Sequence, residues 1–173
     1  MNKIKFIFLF WGCLFARGSL SQVSTGKLIS YKNFQSGFVT SRNVDVWIPA
    51  DYSPKKKYGV IYLHDGQNLF DANATWNHQE WGIDEALSKF NSNVQKNGGT
   101  EFIAVGIWND GINRHSNYFP QRVYNSLSES QKDSILAAKR NKKSDLFNNP
   151  INSDDYVKFI VKELKPFIDS IYS

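Results

Sequence analysis

The densest group of chemically able side chains lies in residues 58–71, YGVIYLHDGQNLFD, where an apolar run ends abruptly in His64, Asp65, Gly66, Gln67 and Asn68. Gly66 lets the backbone turn sharply, so that the amides after it point into the space above the end of the run. If that run is a strand of an open α/β sheet, this is where such sheets bind ligands. An imidazole bordering the space, His64, has the chemistry of a general base, although a histidine at the end of a buried strand more often serves the structure. His64, Asp65 and His78 also carry donor types that suit zinc. Their spacing matches no strong metal motif, so no metal site and no cofactor is assigned. Trp76 and Trp81 offer flat faces to a sugar or aryl ring and equally suit helix-to-sheet packing. Arg114 and Tyr118 suit either substrate contact or the bracing of a loop.

The elements that must position these residues follow from periodicity. Residues 27–34 (KLISYKNF) and 43–48 (NVDVWI) alternate and read as the two antiparallel strands of a half-exposed hairpin. Residues 58–63 and 101–108 (EFIAVGIW) are continuous apolar runs, the pattern of strands buried on both faces in a parallel sheet. Between them Ile83, Leu87, Phe90 and Val94 share one helical face, and Asn97, Gly98 and Gly99 stop that helix. A buried strand, a crossover helix and a second buried strand make a βαβ unit. The class is therefore α/β, an antiparallel hairpin leading into a mainly parallel sheet with flanking helices. Residues 109–155 read as a polar surface insertion with one helix over 128–140. Within it, the basic cluster Lys139, Arg140, Lys142 and Lys143 reads as a solvated face because Asp133 and Asp145 flank it. The last element, 155–172, is an amphipathic helix carrying Tyr156, Phe159, Ile160, Leu164, Phe167, Ile168 and Ile171, capped by Ser153 or Asp154 and bent by Pro166.

The chain of 173 residues, with 41% hydrophobic and 21% charged residues, suffices for one globular domain and leaves little room for two. Its formal charge of +5 overstates its basicity. Lys3, Lys5 and Arg17 lie in the first 21 residues, which hold no acid; beyond them 18 basic residues face 16 acidic ones. Near balance speaks against nucleic acid or an anionic membrane surface as partner. Residues 1–21 read as a signal peptide, with Lys3 and Lys5 ahead of an apolar run over 4–15 and small residues at Gly18, Ser19 and Ser21, so that the mature domain covers 22–173 and is exported, periplasmic or extracellular, with no membrane span left after cleavage. An uncleaved anchor or a lipid-modified Cys13 are the alternatives. Cleavage would remove Cys13, the one cysteine, and with it all thiol chemistry. Asn73, Ala74 and Thr75 form a glycosylation acceptor triplet.

Four segments in order, HDGQNLFD, EWGIDEAL at 80–87, FIAVGIWN followed by Arg114, Tyr118, Phe119 and Pro120, and YVKFIVKELKPFIDSIY at 156–172, resemble the esterase branch of the α/β-hydrolase superfamily, which includes enterochelin, acetylxylan and feruloyl esterases. The resemblance covers nearly all of the mature chain. It implies a serine esterase acting on small-molecule or carbohydrate-linked esters through a Ser-His-Asp triad, without a cofactor. It places one oxyanion-hole donor on the backbone of Gln67, with Asn68 as second choice. His64, Asp65, Trp76, Arg114 and Tyr118 become candidates on the substrate side. The sequence departs from the family at its end: none of the 11 glycines opens a Gly-X-Ser-X-Gly elbow, and the acid and histidine that follow the serine in this superfamily have no place left. The expectation is thus an N-terminal half of the hydrolase fold, ended by a truncation, a frameshift or a cloning boundary, inactive alone and prone to insolubility through an unpaired apolar strand at 58–63. A non-catalytic α/β binding protein and a metal-dependent hydrolase using His64 are the competing readings.

Overall fold

Two alternating segments and two continuous apolar runs bury their side chains by pairing into a sheet packed on both faces. The computed structural model, which describes residues 23–172, shows that arrangement. Strands β1 (Lys27–Phe34), β2 (Arg42–Ile48), β3 (Gly59–His64) and β4 (Phe102–Ile107) form one sheet in the order β1-β2-β4-β3. β2 pairs antiparallel with both β1 and β4, and β3 pairs parallel with β4 from Gly59 opposite Phe102 to His64 opposite Ile107. The mixed α/β class thus stands, with the parallel pairing confined to β3 and β4. The expected leader, residues 1–21, lies outside the described residues. Among these, no helix is long and apolar enough to cross a membrane.

The pleat divides the sheet into two cores. On one face Val44, Val46, Ile48, Ile103, Val105 and Ile107 meet Tyr156, Phe159, Leu164, Ile168 and Tyr172. Those last residues come from a continuous helical run: α5 (Ser153–Lys158), a π-type stretch over Phe159–Leu164, and α6 (Lys165–Tyr172). The wide turn falls just before Pro166, where the missing amide donor disturbs the ladder. On the opposite face Trp47 and Ala104 pack with Leu69 and Phe70, covered by Ile83 and Leu87 of α1 (Ile83–Asn97).

Three expectations are corrected here. β2 is not half-exposed. It lies between β1 and β4, and its one acid, Asp45, is buried because Ser30 and the Trp108 indole donate to its carboxylate. Among the described residues β3 pairs with β4 alone, and its residues are half-buried or exposed and not buried on both faces. The insertion holds, besides α4 (Glu129–Leu136), two short helices, α2 (Arg114–Tyr118) and α3 (Gln121–Asn125), and a small ribbon of β5 (Lys139–Asn141) with β6 (Ser144–Asp145).

Helix α1 is attached more by polar groups than its apolar stripe foretells. Its buried residues are Asp84 and Asn91, whereas Phe90 is 48% exposed. The Asn91 amide donates to the Phe102 carbonyl (2.8 Å) and accepts from the Phe102 amide (2.9 Å), acting as a strand neighbour at the start of β4. Asn91→Ala leaves both main-chain groups without partners. We expect it to lower unfolding free energy by about 2 kcal/mol, read as a reduced urea midpoint with unchanged slope.

Candidate functional site

The site grows from the C-terminal end of β3. There the chain leaves the sheet at Asp65, whose φ of 55° and ψ of 45° lie in the left-handed region, and enters a 3-10 turn over Gly66–Asn68. The residue that bends is therefore Asp65, not Gly66. Glycine is needed at 66 for a different reason: a Cβ there would stand 2.6 Å from the Gly106 carbonyl carbon and 2.9 Å from that of Ile107. The turn lies directly on the backbone of β4, where a Cβ on Gly106 would meet the Leu69 side chain at 2.9 Å, that of Phe70 at 3.1 Å and Gly66 Cα at 3.2 Å.

A left-handed aspartate is held only if its surroundings hold it. Asp65 is 6% exposed, and its carboxylate accepts from Arg114 Nε (2.9 Å), Arg114 Nη2 (2.6 Å), Asn109 Nδ2 (2.6 Å) and Tyr118 Oη (3.4 Å). Burial alone would raise this carboxyl. The hydrogen bonds from Arg114 and Asn109, with the guanidinium charge, outweigh it and keep Asp65 below the usual carboxylate range. Arg114 in turn lies over the Tyr118 ring, 5.2 Å from its centroid. Helix α2 supplies both Arg114 and Tyr118, so the insertion is anchored on the turn by a two-pronged ion pair.

The amides of the turn are unequal. Asn68 N–H donates to the Asp65 carbonyl at 2.9 Å, which closes the 3-10 turn and spends that donor. Gln67 N–H has no acceptor among the described residues. The Gln67 side chain is engaged elsewhere, its Oε1 accepting from the Asn109 amide at 3.3 Å.

Gln67 and Asn68 line a cleft of about 670 Å³ together with Asp65, Trp76, Trp81, Asn109 and Arg114. Trp76 is 89% exposed and Trp81 57% exposed, so neither packs a helix against the sheet. Lys139 and Arg140 of β5 reach the same cleft, which makes two residues of the basic cluster part of its wall and not simply a solvated face.

His64 faces elsewhere. It lines a second cleft of about 540 Å³ with Tyr118, Tyr156, Val157 and Ile160, on the far side of the Asp65–Arg114 pair. Its Nδ1 lies 2.9 Å from Tyr156 Oη, and its ring leans on Tyr118 at 4.9 Å between centroids. Burial, reinforced by the Arg114 charge, lowers the imidazole pKa against the pull of Asp65. A neutral His64 is thus the form that this packing favours. The trio of His64, Asp65 and His78 does not converge. Among the described residues, the His, Cys, Asp and Glu side chains that do approach one another as a group are Glu80, Asp84 and Glu85, which sequence spacing did not single out.

The β1-β2-β4-β3 sheet covered by helices on both faces, with a turn of amides at the end of its parallel strand, is a mixed α/β fold of the kind that the resemblance implies. The match to a family model makes it specific: residues 36–173 fit the family described as "Putative esterase", and the chain belongs to that family. Among solved structures it is similar to the BES protein from Bacillus cereus (TM-score 0.52, 18% identity, 89% of this chain and 50% of that one). It is also similar to an IroE-like serine hydrolase from Shewanella oneidensis (TM-score 0.53, 23% identity, 85% and 40%). The chain spans half or less of the length of these two structures. No curated protein matches it.

Proposed function

We propose that this chain forms the oxyanion side of a carboxylic-ester hydrolase site of the serine type, in a protein exported through the leader at residues 1–21. The observation that carries the reading is that Gln67, a residue lining the cleft, has a main-chain amide without an acceptor among the described residues, beside an Asn68 amide already spent. An ester carbonyl oxygen seated against Gln67 N–H gains a hydrogen bond that strengthens as the carbonyl becomes a tetrahedral oxyanion, so the donor favours the transition state over the ground state. The Asp65–Arg114 pair fixes the turn that aims this donor. Trp76 and Trp81 offer the flat, exposed faces on which the sugar or aryl part of a small-molecule or carbohydrate-linked ester would rest, and Arg114 closes the wall between them and His64.

No Gly-X-Ser-X-Gly elbow occurs within the 173 residues. The serine nucleophile, its histidine and its acid are therefore supplied, on this reading, by sequence other than that given, on a strand paired to the open side of β3. A fluorophosphonate probe that labels activated serines gives the test. The chain of residues 1–173 is expected to take no label and to leave p-nitrophenyl acetate intact, whereas the same chain continued through an elbow is expected to take the label and to hydrolyse the ester. Labelling of residues 1–173 alone would refute the division of the site, and a continued chain that binds esters without label would favour the non-catalytic binder.

A further inference from the structure

We propose that Glu80, Asp84 and Glu85, with the hydroxyl of Ser24, form a binding site for a divalent cation of the hard, oxygen-seeking class, with Ca²⁺ as its occupant. The three carboxylates each bring an oxygen to within 4.8 Å of the others at the N-terminal end of α1. Proximity of acids alone would mean little on a surface, but this group is not simply on the surface. Asp84 is fully buried, and its two oxygens are treated differently. Oδ2 accepts from Ser24 N (3.0 Å), Ser24 Oγ (2.9 Å) and Thr25 N (3.1 Å), while Oδ1 has no hydrogen-bond partner. Glu80 Oε2 is a second buried oxygen without a partner.

Unmatched buried carboxylate oxygens are rare because their desolvation is uncompensated. Ordinary compensation is missing here. Among the described residues no lysine, arginine or histidine pairs with any of the three acids. The positive end of α1 amounts to only about half an elementary charge, against three carboxylates. A cation removes the conflict by satisfying the orphaned oxygens and the excess charge together.

Size and donor type select the ion. All donors are oxygens, which suits Ca²⁺ or Mg²⁺ over the softer metals. Oxygens on opposite sides of Ca²⁺ stand about 4.6–5.2 Å apart, and those around Mg²⁺ no more than about 4.2 Å. Donors spread within 4.8 Å at irregular positions fit the larger and more tolerant ion. The site would join three parts of the chain. Ser24 and Thr25 lead into β1, Thr25 holds the Trp47 indole through its carbonyl (2.8 Å), and Glu80 precedes the cleft residue Trp81. A bound cation would thus set the loop that carries the Trp81 face of the cleft, without taking part in ester chemistry.

Terbium serves as the probe, since Trp81, next to Glu80, can sensitise its emission. On the full chain, tryptophan excitation is expected to give saturable Tb³⁺ luminescence that Ca²⁺ displaces. Ca²⁺ at a hundredfold excess over its Kd is expected to raise Tm by roughly 5–10 °C, reversed by EGTA and reproduced poorly by Mg²⁺. Glu80→Gln and Glu85→Gln, which leave the Asp84 contacts to Ser24 and Thr25 in place, are each expected to weaken Ca²⁺ on the order of tenfold. Absence of a saturable signal with a Tm indifferent to Ca²⁺ and EGTA would overturn the site. So would unchanged affinity in both variants, or a Tm that rises on mild acidification with no response to cations, the mark of carboxyls sharing a proton.

Discussion

Replacing Gln67 by proline in the catalytically complete protein is expected to lower kcat on an acetyl ester about 100- to 1,000-fold, while Gln67→Ala stays within a few-fold of the parent. The two variants separate the main chain from the side chain. Proline removes the amide hydrogen that the site presents to the substrate, whereas alanine keeps it and deletes only the carboxamide, which is turned toward the Asn109 amide. Proline also fits the place sterically, because the second residue of a 3-10 turn needs a φ near that of the ring and loses no internal hydrogen bond. The residue before it is Gly66, which tolerates the restriction that proline imposes on its predecessor. A loss confined to kcat, with KM little altered and the thermal midpoint of both variants near that of the parent, marks a donor used in the transition state. Equal losses in the two variants would move the function to the side chain, and no loss in the proline variant would place the oxyanion elsewhere.

The expectation that Gln67 outranks Asn68 came from position in a family pattern; what the geometry adds is that, in the 3-10 turn opened by Asp65, the Asn68 amide closes the turn and the Gln67 amide does not. Other features were hidden because sequence patterns register burial rather than its cause. The run at 58–63 is apolar enough for a strand covered on every side, yet β3 has a hydrogen-bonded neighbour only in β4 among the described residues. The alternation at 43–48 looks half-exposed because Asp45 interrupts it, and no periodicity could reveal that Ser30 and Trp108 satisfy that acid inside the sheet. Asn91 and Asp84 were passed over on α1 because an apolar stripe is sought in apolar residues; in this helix the polar ones carry the attachment. Gly66 was read as the bend since glycine usually is one. Its true constraint, the 2.6 Å approach to β4, depends on a strand 40 residues further along the chain, which no local pattern contains. The two exposed tryptophans could be named but not placed, because the exposure of Trp76 and Trp81 depends on tertiary packing that no local pattern contains.

Arg114→Ala is expected to reduce unfolding free energy by about 3 kcal/mol near neutral pH, toward the low end for a broken buried ion pair because the Arg114 side chain is 40% exposed. Most of that loss belongs to the partner left behind. Asp65 stays buried in a left-handed conformation with Asn109 and a distant Tyr118 hydroxyl as its remaining donors. The sign of the pH dependence then reverses. In the parent the Asp65 pKa is held below its unfolded value, so the contribution is complete above about pH 4 and disappears as pH falls through the folded pKa. Depressed His64 acts in the same direction at higher pH: its contribution is complete above its unfolded pKa and is lost as pH falls through the folded one. In the variant, burial without the guanidinium raises the Asp65 pKa above the unfolded value, so the penalty is full at neutral pH and shrinks as acid neutralises the carboxyl. Urea midpoints of parent and variant should therefore converge between about pH 6 and pH 4. Parallel curves over that range would show that the arginine acts through packing on Tyr118 and not through the aspartate it grips. Because the same aspartate sets the angle of the turn, the continued, active protein carrying Arg114→Ala should lose kcat at neutral pH out of proportion to its folded fraction, a readout that packing loss alone would leave unmoved.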